Sequence, residues 1–457
     1  MRQMTAGEIA AAVGGTLLAG AAETAVTSVS TDSRTVTAGA LFIPIVGETF
    51  DGHRFIDKAL ADGALGCLCA RVPERFAGDR FYIAVPDTLL AYKALAAWYR
   101  GLFSLPVVQV TGSVGKTTTK EMIASVLSGR FRTLWTEGNY NNEIGTPMTL
   151  LRLDASHEAA VIETGMDGAG QIRYLGEMVK PDVAVITNIG DMHIEHLGSR
   201  EGIFRAKCEI FENLAADGVA VLNGDDPWLN KVVLPQRILR VGRAAACDFR
   251  VSDVVDHGIN GLSCTVTSAR ARYELQIPAP GAHMIYPAAT AVAVGETLGL
   301  RVDEIVRGVA AYEPSGARMR VVPLAEGRRL LDDCYNAGPQ SMRAALEVLG
   351  ASAGRTVAVL GDMAELGALS EQAHREMGAL ADALGIAQVI AVGTRAKDLA
   401  EACGGDWYAT TEEALGAACA AFTPGTAMLV KASHSMHFEA IAAALKKQFA
   451  AFDETTE

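Results

Sequence analysis

Between residues 105 and 122 the chain reads LPVVQVTGSVGKTTTKEM, where a β-branched apolar run gives way to Gly112, Ser113, Val114, Gly115, Lys116, Thr117 and Thr118. Two glycines remove side-chain crowding, so successive backbone N–H groups can converge on phosphate oxygens at a helix N-terminus. Lys116 adds a positive charge and Thr117 a hydroxyl suited to Mg²⁺. The spacing is Gly-x-x-Gly-Lys-Thr, because Val110 stands where the longer phosphate-loop pattern has glycine. This predicts a nucleotide phosphate site between a strand and a helix whose periodicity begins at Met122.

Two more apolar runs end in groups able to join that chemistry. Residues 159–162 lead into Glu163, and residues 183–186 lead into Thr187-Asn188-Ile189-Gly190-Asp191-Met192-His193-Ile194-Glu195-His196. Open α/β sheets bind ligands at the carboxyl edge of their strands. Thr117, Glu163, one imidazole and phosphate oxygens form a set able to share Mg²⁺. His193 and His196 are spaced for zinc, but no cysteine or third histidine follows at a ligand spacing, which argues against it. Residues 205–211 read as a helix with a solvated charged face, and Asn223 to Pro227 read as a turn. Arg318, then Asp332, Asp333, Tyr335 and Asn336, offer a guanidinium, two acids and an amide at a strand end, a chemistry suited to a zwitterion.

The elements that must position these groups follow from texture. A chain of 457 residues exceeds one hydrophobic core and predicts about three domains. Residues 1–84 carry short β runs at 40–46 and 81–85 and a helix at 55–61, a small α/β unit. Residues 85–314 open on a helix at 89–99 and alternate strand runs (159–162, 183–186, 218–222) with helices, implying a mostly parallel sheet covered on both faces. Residues 249–277 suit an antiparallel extension. Residues 315–457 hold strand runs at 329–332, 356–360, 388–392 and 428–430, a second doubly wound α/β unit.

Composition narrows the partner. Half of the residues are hydrophobic and the net charge is −13, which argues against disorder and against nucleic acid or anionic membrane as the general partner. The eight cysteines, at 67, 69, 208, 247, 264, 334, 403 and 419, lack C-x-x-C spacing and read as free thiols of a reducing compartment. A cytoplasmic location is expected. No run of 18 uncharged apolar residues suggests a membrane span, and Thr5 to Glu8 fit a helix-capping box rather than a signal peptide.

Taken in order, these motifs resemble the Mur ligases over nearly the whole length. They are Asp32-Ser33-Arg34, Asp51-Gly52-His53, residues 111–122, Gly138 to Gly145, Glu163, Thr187 to Gly190, His193 to Gly198, Ala206-Lys207, Asp333 to Pro339 and Gly361 to Gly367. Within that family the resemblance is to the branch that joins D-alanyl-D-alanine to UDP-N-acetylmuramoyl-tripeptide in an ADP-forming reaction through an acyl phosphate. It implies that residues 1–84, through Ser33, Arg34, Asp51 and His53, hold the UDP-sugar end, and that residues 85–314 bind ATP through Gly112 to Thr118. It also implies that residues 315–457 bind the incoming dipeptide. Thr117 and Glu163 are expected to ligate Mg²⁺, with His193 and a carbamylated Lys207 at a second ion, since CO₂ turns a lysine amine into an anionic oxygen ligand. Lys116, Lys207 and His193 are the expected catalytic groups. Asn141 and Asn142 are expected beside the acyl substrate, Arg318 and Asp333 at the nucleotide, and Tyr335 and Asn336 at the dipeptide. A monomer is expected.

The chain departs from the family wording at Pro287, where an adenine-contacting asparagine is usual and proline offers no side-chain amide. Gly338, His434 and residues 166–168 also differ. The competing readings are a sister Mur or folylpolyglutamate-type ligase and an inactive nucleotide-binding protein. The sister enzyme adding the third peptide residue is expected to carry Asp-Asn-Pro-Arg in its last region, which this sequence lacks. Against an inactive protein, Lys116, Thr117, Glu163, His193 and Lys207 are all present.

Overall fold

The protein is described by a computed structural model covering residues 1–47 and 49–450. Among the described residues three large sheets form the framework, beside a two-stranded one that pairs Met4–Thr5 with Ala25–Val26. Val107–Thr111, the strand feeding the phosphate loop, lies between Ala159–Glu163 and Val183–Ile186 in a nine-stranded sheet. Both neighbours are parallel to it, with Glu163 opposite Val110 and Ile186 opposite Thr111. Register alone therefore brings the ends of all three strands to one edge. The sheet runs from Thr133–Trp135 at one side through Val219–Asn223 and Arg237–Gly242 to Phe249–Asp256, all parallel. Leu262–Thr267 and Arg272–Ile277 then add antiparallel, as the patterning of residues 249–277 suggests.

Alternation along Val107–Thr111 supplies two cores, as a strand covered on both faces requires. Val108 and Val110 pack with Met122, Val126 and the alanine-rich helix Ile285–Thr297. Val107 faces the other way, into a cluster that includes Leu41, Leu68, Phe81 and Ile83 of the N-terminal sheet. That sheet has the order Thr16–Ala19, Phe81–Ala84, Gly66–Cys69, Ala40–Phe42, Ser28–Ser30, with only the first pair antiparallel. The strand expected over residues 40–46 ends at Phe42. Pro44 has no N–H to extend a ladder, and Val46 returns only as an isolated bridge to Asp51.

The third sheet, Arg320–Pro323, Arg329–Asp332, Ala427–Lys431, Thr356–Gly361, Gln388–Val392 and Asp406–Tyr408, is parallel except for its first pair. Ala427–Lys431 separates two strands that precede it in sequence, so loops after three neighbouring strands open at one crevice. Among the described residues no helix is long and apolar enough to cross a membrane, and all eight cysteines are free.

A second boundary differs from the sequence reading. The phosphate-loop helix is Lys116–Ser128 and begins well before Met122. Its first turn is polar, so apolar periodicity misses it, yet Thr117, Thr119 and Lys120 are buried. Lys120 is accommodated by donating to Thr136 O at 2.7 Å.

Candidate active site

Two backbone positions build the phosphate loop. Gly115 has φ +76° and Gly112 φ +152°, and a Cβ at Gly112 would collide with Thr187 Oγ1, so both favour glycine. The loop is braced by the end of Val183–Ile186. Ser113 N donates to Asn188 O at 3.1 Å, Val114 N to Asn188 Oδ1 at 3.1 Å, and Gly190 N to Ser113 Oγ at 2.8 Å. Lys116 folds over the loop, donating to Gly112 O at 3.0 Å and Ser113 O at 3.3 Å. Burial pushes its pKa down, and the Glu163 carboxylate opposes that shift.

Glu163 is 1% exposed. One carboxylate oxygen accepts from Asn141 Nδ2 at 2.8 Å, while Oε2 is buried without a partner among the described residues. An orphaned buried carboxylate oxygen beside a phosphate loop fits a hard cation. Thr117 and Glu163 both line the same cavity and are the residues able to hold Mg²⁺. Among the described residues no cluster of three or more His, Cys, Asp or Glu side chains forms a ready-made metal cage.

His193 sits at the start of the short helix Ile194–Leu197 with φ +65°. Its Nδ1 is 2.6 Å from Glu365 Oε2 and 3.8 Å from Asp167 Oδ1. The 2.6 Å pair is not aligned as a hydrogen bond. Lys207 overturns the expectation of a solvated face. In the helix Arg200–Cys208, Arg205 is exposed but Lys207 is 1% exposed. Burial, with Lys116 nearby, pushes its amine well below the ordinary lysine range.

From the third sheet, Arg318 lies 3.7 Å over the Tyr335 ring. Asp333 accepts from Met319 N at 3.0 Å and pairs with Lys431 at 2.6 Å. Lys431, which sequence reasoning passed over, is 2% exposed and also donates to Asn336 O at 2.9 Å. Its signal was a lysine closing an apolar strand run. These residues and the phosphate loop line one cavity of about 1000 Å³, together with Asn141, Asn142, His193, Pro287 and Gly338. Asn142 is partly spoken for, since Oδ1 accepts from Gly145 N at 2.9 Å at the start of Gly145–Leu150.

Ser33, Arg34, Asp51 and His53 do not line that cavity. Arg34 is exposed and forks onto Asp32, with Nη2 to Oδ2 at 2.7 Å. His53 joins Asp51 at 2.7 Å and accepts from Ala70 N at 2.9 Å. These pairs stand in the loop after Ser28–Ser30 and at the turn Gly52–Phe55 of the N-terminal unit, so a molecule touching both them and the cavity would have to be long.

The Mur ligase middle-domain model matches residues 110–295, the glutamate ligase domain model residues 317–434 and the Mur ligase family catalytic-domain model residues 25–97. The chain is 40% identical to the UDP-N-acetylmuramoyl-tripeptide–D-alanyl-D-alanine ligase of Escherichia coli (strain K12), over 82% of this chain and 83% of that one. A crystal structure of MurF from Acinetobacter baumannii superposes with a TM-score of 0.91 at 32% identity, covering 98% and 99% of the two chains. MurF ligase from Thermotoga maritima, in complex with ADP, gives 0.82 at 28% identity over 93% and 98%. With relatives this similar along most of its length, and a phosphate loop facing a second α/β unit across one cavity, the chain belongs to the Mur ligase family.

Proposed function

We propose that the protein is an ATP-dependent ligase that joins D-alanyl-D-alanine to UDP-N-acetylmuramoyl-tripeptide, yielding the pentapeptide precursor of peptidoglycan, ADP and phosphate. The observation that carries this reading is the single cavity lined by the phosphate loop, by Glu163 and by Arg318, Asp333 and Lys431 of the third sheet. The relatives of that activity support it.

The chemistry follows from need. A carboxylate is a poor acyl donor because oxide cannot leave. Transfer of the γ-phosphoryl group to the tripeptide carboxylate forms a C–O–P linkage and releases ADP. The dipeptide amine then attacks the acyl carbon, and phosphate leaves as the amide forms. Lys116 exchanges the carbonyls of Gly112 and Ser113 for phosphate oxygens and offsets charge there. Mg²⁺ supplies the same offset when held by Thr117 and Glu163. The cleft between two α/β units gives the acyl phosphate a site from which water is excluded on closure.

The remaining roles belong to the same reading. Residues 1–84 take the UDP-sugar, with Ser33, Arg34, Asp51 and His53 as its contacts. Residues 85–314 take ATP, with Asn141 and Asn142 near the acyl group. Residues 315–457 take the dipeptide through Tyr335 and Asn336, while Arg318 and Asp333 reach the nucleotide. His193 and a carbamate on Lys207 serve a second Mg²⁺. Burial supports the carbamate, since a desolvated amine is the neutral nucleophile that CO₂ requires. The substrates, ATP and a UDP-linked sugar, make the cytoplasm the place of reaction, and the protein acts there as a monomer.

The test is phosphate release by purified protein with ATP, Mg²⁺ and UDP-N-acetylmuramoyl-tripeptide. Release is expected only when D-alanyl-D-alanine is added. Equal turnover with a single amino acid overturns the reading.

A further inference from the structure

Glu365 belongs to the loop after Thr356–Gly361 and lies far in sequence from the phosphate loop, yet its carboxylate crosses the cleft. Oε2 is 2.6 Å from His193 Nδ1, and the charge lies within electrostatic reach of Lys116 and His196. Both partners have left-handed backbone, φ +61° at Glu365 and φ +65° at His193. Neither is glycine, so each carries a conformational cost that its surroundings must impose.

Those surroundings are rigid on both sides. On the third sheet, Met363 N donates to His374 Nε2 at 2.9 Å and Ala364 N to Ser433 Oγ at 2.9 Å. On the central sheet, Gly190 N is bonded to Ser113 Oγ of the phosphate loop at 2.8 Å, and Arg200 forks onto Asp191 at 2.6 and 2.7 Å. The stretch holding His193 is thus tied directly to the phosphate loop. The loops around the pair also touch, since the Cβ position at Gly367 is 3.7 Å from Glu195 and a Cβ at Gly338 would fall 2.5 Å from Met192 Sδ. Two strained residues held face to face by separate rigid loops form a designed contact between the sheets rather than a chance surface meeting.

We propose that Glu365 is a positioning residue of the ligase reaction, which sets the third sheet against the phosphate-loop side of the cleft by its contact with His193. Through Ser113 and Gly190 the arrangement of the phosphate loop is communicated to His193, and through Glu365 to the loops that face the dipeptide. The kinetic part of this inference rests on the ligase reading; its conformational part does not.

The experiment compares wild type with Glu365→Ala and Glu365→Gln, in full-length protein, by amide hydrogen exchange and by steady-state kinetics. In Glu365→Ala, residues 188–198 and 362–369 are expected to exchange at least fivefold faster, with the strand Ala427–Lys431 unchanged. The KM for D-alanyl-D-alanine is expected to rise about tenfold while that for ATP stays within twofold. Glu365→Gln, which keeps the length of the side chain and loses its charge, is expected to show most of both effects. Wild-type exchange at 188–198 in the alanine variant, or a dipeptide KM within twofold of wild type, overturns the proposal. So does an equal loss for ATP and dipeptide, which marks a merely structural role. A wild-type enzyme that releases no phosphate with these substrates would instead sink the ligase reading, and the exchange measurement would still decide the contact.

Discussion

Asn141 Nδ2 donates to Glu163 Oε1 at 2.8 Å, and the other carboxylate oxygen of Glu163 is buried with no partner among the described residues. The amide fixes the orientation of the carboxylate, so that Oε2 is the oxygen free for a cation. Glu163 N is in turn held by Thr136 Oγ1 at 3.0 Å. Removing an outer partner of this kind costs roughly 10–100-fold in metal affinity or activity. Asn141→Ala is therefore expected to raise the Mg²⁺ concentration needed for half-maximal turnover by about that factor, and to cost on the order of 2 kcal/mol of stability through the lost charged hydrogen bond. Magnesium titrations of the two proteins check it. An unchanged midpoint would mean that Glu163 does not face the ion.

In the proposed reaction Lys116 offsets charge that grows on the phosphoryl oxygens, and its present hydrogen bonds are to its own loop carbonyls. Lys116→Ala should melt near the wild-type temperature and lose on the order of 10² or more in kcat, by analogy with the loss of one preorganised electrostatic donor. Circular dichroism and phosphate release, run on the same preparation, separate the two effects. A wild-type rate would show that the lysine is not at the phosphates.

His374 gives the stability a pH dependence of definite sign. It is fully buried, accepts from Met363 N through Nε2 and lies 2.7 Å from Ser370 O through Nδ1, so it is held as the neutral imidazole. Burial pushes its pKa below the usual histidine value, and the charges around it belong to Asp362, Arg395 and Asp398. Below about pH 6.5 the unfolded chain binds a proton at this residue that the folded protein resists. The stabilisation is complete above the unfolded pKa and is lost as pH falls from there toward the depressed folded value. The slope from one proton is at most about 1.4 kcal/mol per pH unit. Thermal melts from pH 5 to 8 should show a steeper acid fall for wild type than for His374→Gln, and parallel curves would refute it.

The sequence was most legible where the signal is local. A β-branched run followed by Gly112 and Gly115 announces its turn, and apolar runs at 159–162 and 183–186 announce their strands. Sheet register then places Glu163 beside the loop without further information. Lys207 was illegible because its neighbours Arg205 and Glu209 give the helix the look of a solvated face, and only tertiary packing buries the amine. The start of the phosphate-loop helix was lost for the opposite reason, since its buried first turn is made of threonines and Lys120. Glu365 was legible as part of the Gly361 to Gly367 motif but not as a contact across the cleft, because its partner is fixed by how two sheets meet. Ser33, Arg34, Asp51 and His53 are readable as a polar group, but not as residues remote from the main cavity.

The carbamate proposed on Lys207 is testable apart from the ligase reading. An amine 1% exposed and pushed far below its ordinary pKa is held neutral, the form that reacts with CO₂, and the neighbouring Lys116 charge would favour the carbamate anion over the ammonium. CO₂ forms an N–C bond with the neutral amine, and the nitrogen loses a proton as the carbamate forms. Lys207→Ala should be nearly inactive and partly recovered by a short carboxylate such as acetate, which replaces the missing oxygens in the vacated space. Lys207→Arg should stay inactive with acetate, since the larger guanidinium fills the space, is permanently charged and takes up no CO₂. Carbon-13 NMR of the protein under labelled CO₂ gives a readout without turnover: a carbamate resonance is expected in wild type and absent from both variants. A fully active arginine variant, or no resonance in wild type at saturating CO₂, would remove the carbamate and leave Lys116, Thr117 and Glu163 to carry the phosphoryl chemistry.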